Sequence, residues 1–166
     1  MPWNLNIGRP RWDDFEIYPR GALLLGALLG IVVFLFIHKL YILDPTFIAW
    51  TMKGDAGQHF LGWHFFRGES WHWPLGFIQN FQYPQGTSIV YTDSIPLIAL
   101  PLKLLAFALP KYFQYHGLWL LLCYALQGVF ACLLLRRITS NSVLLGLGSL
   151  LFLLSPVMEQ HSGVHQ

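Results

Sequence analysis

Carboxylates and histidines are the side chains here with the most chemistry to offer, and they are unevenly spread. Four of the eight acidic residues, Asp44, Asp55, Glu69 and Asp93, fall between positions 44 and 116. Asp55 stands out. It opens the run Asp55-Ala56-Gly57-Gln58-His59-Phe60-Leu61-Gly62-Trp63-His64-Phe65-Phe66-Arg67-Gly68. Its spacing to Gln58 is a variant of the capping box, and Gly68 suits a helix C-terminus, so a helix is predicted over about 56–67. Asp55 then has two compatible readings. It is an N-cap whose carboxylate accepts backbone N–H bonds, or a carboxylate available for catalysis or for a metal ion. The positive end of a helix favours an ionised carboxylate, which can act as a general base or ligate a cation but cannot act as an acid.

The seven histidines are His38, His59, His64, His72, His116, His161 and His165. His59 and His64 are five apart on the expected helix, so they point in different directions and make no same-face metal pair. His161 and His165 have the i, i+4 spacing a helical metal pair needs, but no adjoining Glu completes a zinc pattern. The segment 44–116 also contains Trp50, Trp63, Trp71 and Trp73. Aromatic residues near a membrane usually anchor at its interface, and tryptophans also suit stacking on a sugar or lipid headgroup.

Other segments must position these groups, and their composition says in what solvent. Of 166 residues, 55% are hydrophobic and only 11% charged. Average soluble domains are about 25% charged, so lipid is the expected solvent for much of the chain. The net charge of +2 gives no reason to expect a nucleic-acid partner. Three spans are expected. The first covers 21–43, roughly 34 Å of helix against a hydrocarbon core of about 30 Å. No small-residue cleavage site follows it, so it reads as an uncleaved helix. Ala22, Gly26 and Gly30 give it one smooth face for close helix packing. The second covers 117–135, with Gln127 as an interhelical hydrogen-bonding residue, and the third covers 143–157. Cys123 and Cys132, nine apart on the second span, are too distant to bridge. The run 94–109 is apolar but short, and Pro96, Pro101 and Lys103 interrupt it. It is expected to lie in the interface, with Asp93 or Ser94 as its cap. That choice keeps Arg136 and Arg137 of the 136–142 loop on the cytoplasmic side together with Arg9, Arg11 and Arg20 of segment 1–20. Segments 71–76 and 83–88 read as turns and 88–93 as extended. The fold class is therefore all-α and integral to the membrane: about three spans, a long outer loop over 44–116 and a short outer tail over 158–166.

This arrangement resembles the N-terminal part of bacterial GT-C glycosyltransferases, polytopic enzymes that use lipid-linked sugars. The shared pattern is a cytoplasmic N-terminus, one helix, then a large outer loop with an early acid and interfacial jaw helices. The segments Gly54-Asp55-Ala56-Gly57-Gln58-His59-Phe60 and Tyr83-Pro84-Gln85-Gly86-Thr87-Ser88-Ile89-Val90-Tyr91-Thr92-Asp93-Ser94 look like those of uncharacterised bacterial integral membrane proteins placed near this class. The resemblance implies transfer of a sugar from a polyprenyl-phosphate donor at the outer face of the bacterial inner membrane. It puts the base, or the ligand of a divalent cation, at Asp55. Asp93 and Glu159 are secondary carboxylate candidates, and Lys53, Arg67 and Lys103 candidates for phosphate contact. Trp63, Trp71 and Trp73 are the candidates for sugar or lipid stacking. It also implies many more helices than three, so this stretch alone is expected to be inactive. The alternative from a different class is a small non-catalytic membrane subunit whose outer loop is a docking surface.

Overall fold

The computed structural model describes residues 20–156. Its main elements are five helices, α1 (Arg20–Ile37), α2 (Gly54–Gly68), α3 (Pro96–Leu104), α4 (His116–Leu135) and α5 (Ser142–Leu153). A two-stranded ladder, β1 (Phe77–Ile78) and β2 (Thr87–Ser88), joins them. The chain is thus mostly helical. Helices α1 and α4 are each long and apolar enough to cross a membrane, with mean hydropathy 2.4 and 2.2.

Helices α1, α4 and α5 form one bundle. Gly26 lies against Gly128 and Gly30 against Tyr124, while Ile42 beyond α1 meets Gly117, so α1 and α4 run antiparallel. The smooth face expected from Ala22, Gly26 and Gly30 is the buried face of α1. A Cβ on Gly26 would come within 2.5 Å of the Gly128 carbonyl oxygen. With no side chain there, the two backbones approach closely and gain dispersion contact along their length. Helix α5 returns beside α4. Asn141 caps it by accepting from the Val143 and Leu144 N–H groups, and Gln127 Nε2 donates to the Phe152 carbonyl at 2.7 Å. Gln127 therefore has the interhelical role its position suggests. Cys123 and Cys132 are both free thiols.

Two of the expected spans are shorter than their apolar runs. The α-helix of 21–43 stops at Ile37. His38 is buried, its ring packed on Phe34 and Tyr124, and Lys39 is extended. A 3₁₀ turn then covers Leu40–Leu43. Asp44 is extended because the following Pro45 disfavours the helical region. The run 143–157 is α-helical only over Ser142–Leu153, with Leu154 as its C-cap. Twelve residues rise about 18 Å.

Residues 44–115 form a second unit with its own core of Trp63, Phe66, Ile78, Ile89, Ala99 and Tyr115. The run 94–109 is helical only as α3, nine residues or about 13 Å long, and turns follow it from Leu105. Neither Asp93 nor Ser94 caps it. The cap position belongs to Ile95, and the Ser94 hydroxyl instead donates to the His59 carbonyl at 2.7 Å. The stretch read as extended, 88–93, is mostly turn, and only Thr87–Ser88 pairs, with Phe77–Ile78.

Trp50 packs against the core of the bundle, and Gln114 ties the two units by hydrogen bonds. Gln114 is buried, and its Nε2 donates to the carbonyls of Ile42 (2.9 Å) and Asp44 (2.7 Å). Its Oε1 accepts from the Gly117 N–H at 3.1 Å, and its own backbone N–H donates to Pro45 at 2.8 Å. The entry and exit of the 44–115 unit are thus tied at one point.

Candidate functional site

Helix α2 positions the site. Its inner face carries Phe60, Trp63 and Phe66 into the core. Gly54, Gly57, Gln58 and Leu61 follow the i, i+3, i+4, i+7 spacing of a second face, and they line one wall of a cleft of about 660 Å³. Phe81, Gln82, Thr87, Tyr91 and Thr92 line the opposite side. Gln58 Nε2 donates to the Tyr91 carbonyl at 3.1 Å, and His59 Nδ1 meets the Thr92 carbonyl at 3.1 Å. These two contacts hold the 91–92 turn against α2.

Asp55 is exposed in the first turn of α2. It is not the N-cap. That position falls to Lys53, which is extended, and Gly54 follows at a φ of 54°, in the left-handed region that favours glycine. Gln58 does not close a capping box; its Nε2 donates to the Tyr91 carbonyl, which turns the side chain toward the 91–92 turn. Asp55→Ala should therefore cost under about 0.5 kcal/mol, as for an ordinary surface substitution, rather than the 0.5–2 kcal/mol of a lost cap. Thermal unfolding of the two proteins in detergent checks this.

Three charged residues are neighbours in the chain of residues that line the cleft, without lining it themselves. Asp55 falls between lining residues Gly54 and Gly57, Lys53 between Met52 and Gly54, and Asp93 follows Thr92. All three are exposed, and none has a side-chain hydrogen bond or ion pair among the described residues. Asp93 also holds a left-handed φ of 50°. The other two early acids are committed. Asp44 accepts from the Thr46 N–H (2.8 Å) and hydroxyl (2.7 Å), which lowers its pKa, and Glu69 accepts from the Asn80 N–H at 2.7 Å.

Several candidates have structural duties instead. Arg67 is not free for phosphate. Its Nη1 donates to the Pro110 carbonyl (2.7 Å), and its Nη2 to those of Ala106 (3.1 Å) and Leu109 (3.2 Å). These bonds satisfy carbonyls of the turns after α3 and pin them to the end of α2. Lys103 is also withdrawn. It is 6% exposed, with Nζ 4.0 Å from the centroid of the Phe66 ring and 4.6 Å from that of Trp71. Burial lowers its pKa, with Glu69 acting the opposite way. Trp63 is fully buried, and its Nε1 donates to the Phe113 carbonyl at 2.9 Å, so it cannot stack on a ligand. Trp71 is about half exposed beside Lys103, and Trp73 is 83% exposed. Neither lines the cleft. Glu159, His161 and His165 lie outside the described residues.

The divalent cation considered at Asp55 finds no matching ligand set. Among the described residues no three His, Cys, Asp or Glu side chains converge. No step is therefore assigned to a cation.

A family model described as a domain of unknown function, DUF6311, matches residues 27–166. The chain belongs to this family. The match covers the cleft, its charged neighbours and the joint at Gln114, so each lies within the DUF6311 domain. No curated protein and no solved structure matches the chain.

Sequence reasoning missed Gln114 and the far wall of the cleft. Gln82, Thr87 and Tyr91 fall among turn residues whose own spacing signals no site. Only the left-handed φ of 62° at Gln82 marks the place, and that is a property of the fold.

Proposed function

We propose that this sequence belongs to a membrane transferase that moves a sugar from a lipid-linked donor to an acceptor hydroxyl at the outer face of a bacterial inner membrane. The observation that carries the reading is Asp55. It is an exposed carboxylate with no structural duty, in the first turn of the helix that forms one wall of the cleft, in a chain with two membrane-length helices. Asp55 takes the proton from the acceptor hydroxyl. The acceptor oxygen then forms its bond to the anomeric carbon, and the bond from that carbon to the donor phosphate breaks. The phosphate leaves with the bonding electrons, on its lipid. Lys53, on the other side of Gly54, offers a charge-assisted hydrogen bond to that phosphate.

The helical faces suit this setting. Leu24, Leu28, Val32 and Phe36 of α1 and Phe130 and Leu134 of α4 are exposed and apolar, as lipid contact requires. Leu97, Leu104, Leu105 and Phe107 present a similar apolar surface on and after α3, suited to the interface of the outer leaflet. In this topology α1 runs outward, α4 inward and α5 outward, which puts Arg136 and Arg137 in the cytoplasm. A cysteine at Ser140 should then resist a membrane-impermeant maleimide added outside intact cells, while one at exposed Lys111 should react. Labelling at 140 would overturn the topology.

The function is tested with membranes containing the full-length protein and a polyprenyl-phosphate-linked radiolabelled sugar. Sugar should pass to an acceptor, and lipid phosphate should be released. A donor left intact with every acceptor class would sink the transferase reading in favour of a non-catalytic subunit.

A further inference from the structure

We infer that the cleft between α2 and the 81–92 turns is a subsite for an uncharged sugar ring and rejects charged ones. This deepens the transferase reading and rests on it for the lipid attachment of the donor. No acidic, basic or histidine side chain lines the cleft. Its polar groups are neutral amides and hydroxyls, including those of Gln58, Gln82, Thr87 and Tyr91, beside the apolar Leu61 and Phe81. Amides and hydroxyls both donate and accept, as sugar hydroxyls do. Apolar walls suit the C–H faces of the ring.

A carboxylate or ammonium in the same space would meet no countercharge among the lining side chains. Gln58 has already given an amide proton to Tyr91, which leaves its Oε1 as an acceptor. Gln82 is exposed and carries the left-handed φ of 62°, uncommon for a residue other than glycine. A volume of about 660 Å³ is within the range of about 300–1,000 Å³ usual for small-ligand sites. Charge is confined to chain neighbours of the lining residues, Lys53, Asp55 and Asp93. The ring therefore lies inside, with the phosphate and the reacting bond at the mouth.

The test is saturation-transfer NMR on the full chain in a detergent without a sugar headgroup. The probes are a neutral methyl hexoside, a methyl glucuronide, a methyl glucosaminide and inorganic phosphate. The neutral hexoside should show transfer, and the three charged probes should bind at least tenfold more weakly. Leu61→Trp, which fills the cleft, and Gln82→Ala, which removes an amide, should each reduce hexoside binding at least fivefold. Their helical circular dichroism and unfolding temperature should match those of the parent. Equal binding of charged and neutral probes would overturn the inference, as would hexoside binding unchanged in a folded Leu61→Trp protein. The two readings fail separately. Neutral-selective binding that Leu61→Trp abolishes, without sugar transfer, removes the transferase and keeps the subsite. Transfer with no selectivity removes the subsite and keeps the transferase.

Discussion

Asp55→Asn is expected to lower sugar transfer by about 10²–10⁴-fold, the usual contribution of general acid–base catalysis. The substitution keeps the shape of the side chain and removes its charge and basicity. Little else should change, because Asp55 is exposed and neither caps α2 nor pairs with another described residue. Unfolding temperature and membrane yield should therefore stay at the parent values while turnover falls. That separation distinguishes a reacting carboxylate from a folding defect. If transfer survives Asp55→Asn intact, the base is elsewhere. Asp93, next in the chain to Thr92 of the same cleft, is then the next carboxylate to replace.

The largest effect on stability is expected at Gln114. Gln114→Leu removes one buried side chain and leaves two backbone groups without their partner, the carbonyl of Ile42 and the N–H of Gly117, while the carbonyl of Asp44 keeps only the Phe47 N–H. A buried polar group left unsatisfied costs about 1–3 kcal/mol, so a loss of about 2 kcal/mol or more is expected. Gln114→Glu is the informative companion. Its oxygens can still accept from Gly117 but, when ionised, cannot donate to either carbonyl, so it should not rescue the fold. Limited proteolysis of 44–115 and thermal unfolding in detergent measure both variants. A Gln114→Leu protein within about 0.5 kcal/mol of the parent would show that the joint is dispensable.

The parts readable in the sequence were those governed by local or periodic signals. The apolar run at 117–135 matches α4 within a residue, and the 56–67 helix is contained in α2. The face of Ala22, Gly26 and Gly30 and the role of Gln127 also followed from spacing on one helix. The errors share a different cause. Asp55 and Gln58 have the spacing of a capping box, but a carbonyl 33 residues further on captures the amide of Gln58. Arg67 looked like a free cation, yet carbonyls about 40 residues away consume it. Trp63 looked like a stacking residue and became part of a core assembled from five separate stretches of the chain. The helix of the 94–109 run starts at Pro96, continues through Pro101 and ends at Leu104, so its prolines did not mark where it stops, and its cap depended on Ser94 being drawn to α2. Spacing along a helix reveals neighbours on that helix. It does not reveal which distant backbone group will compete for the same side chain.

The joint at Gln114 also bears on how sequences of this kind can diversify. Because Pro45 and Gln114 are hydrogen-bonded, the chain leaves the helical bundle and re-enters it through adjacent residues. Lengthening such an excursion is cheap, since each doubling of a flexible loop adds only about 0.6 kcal/mol of closure entropy. Segments with neighbouring ends are also the ones that tolerate insertion and exchange. The α1–α4 pair can thus act as a constant mount, while the unit fastened at 45 and 114 is enlarged, trimmed or replaced without moving either helix.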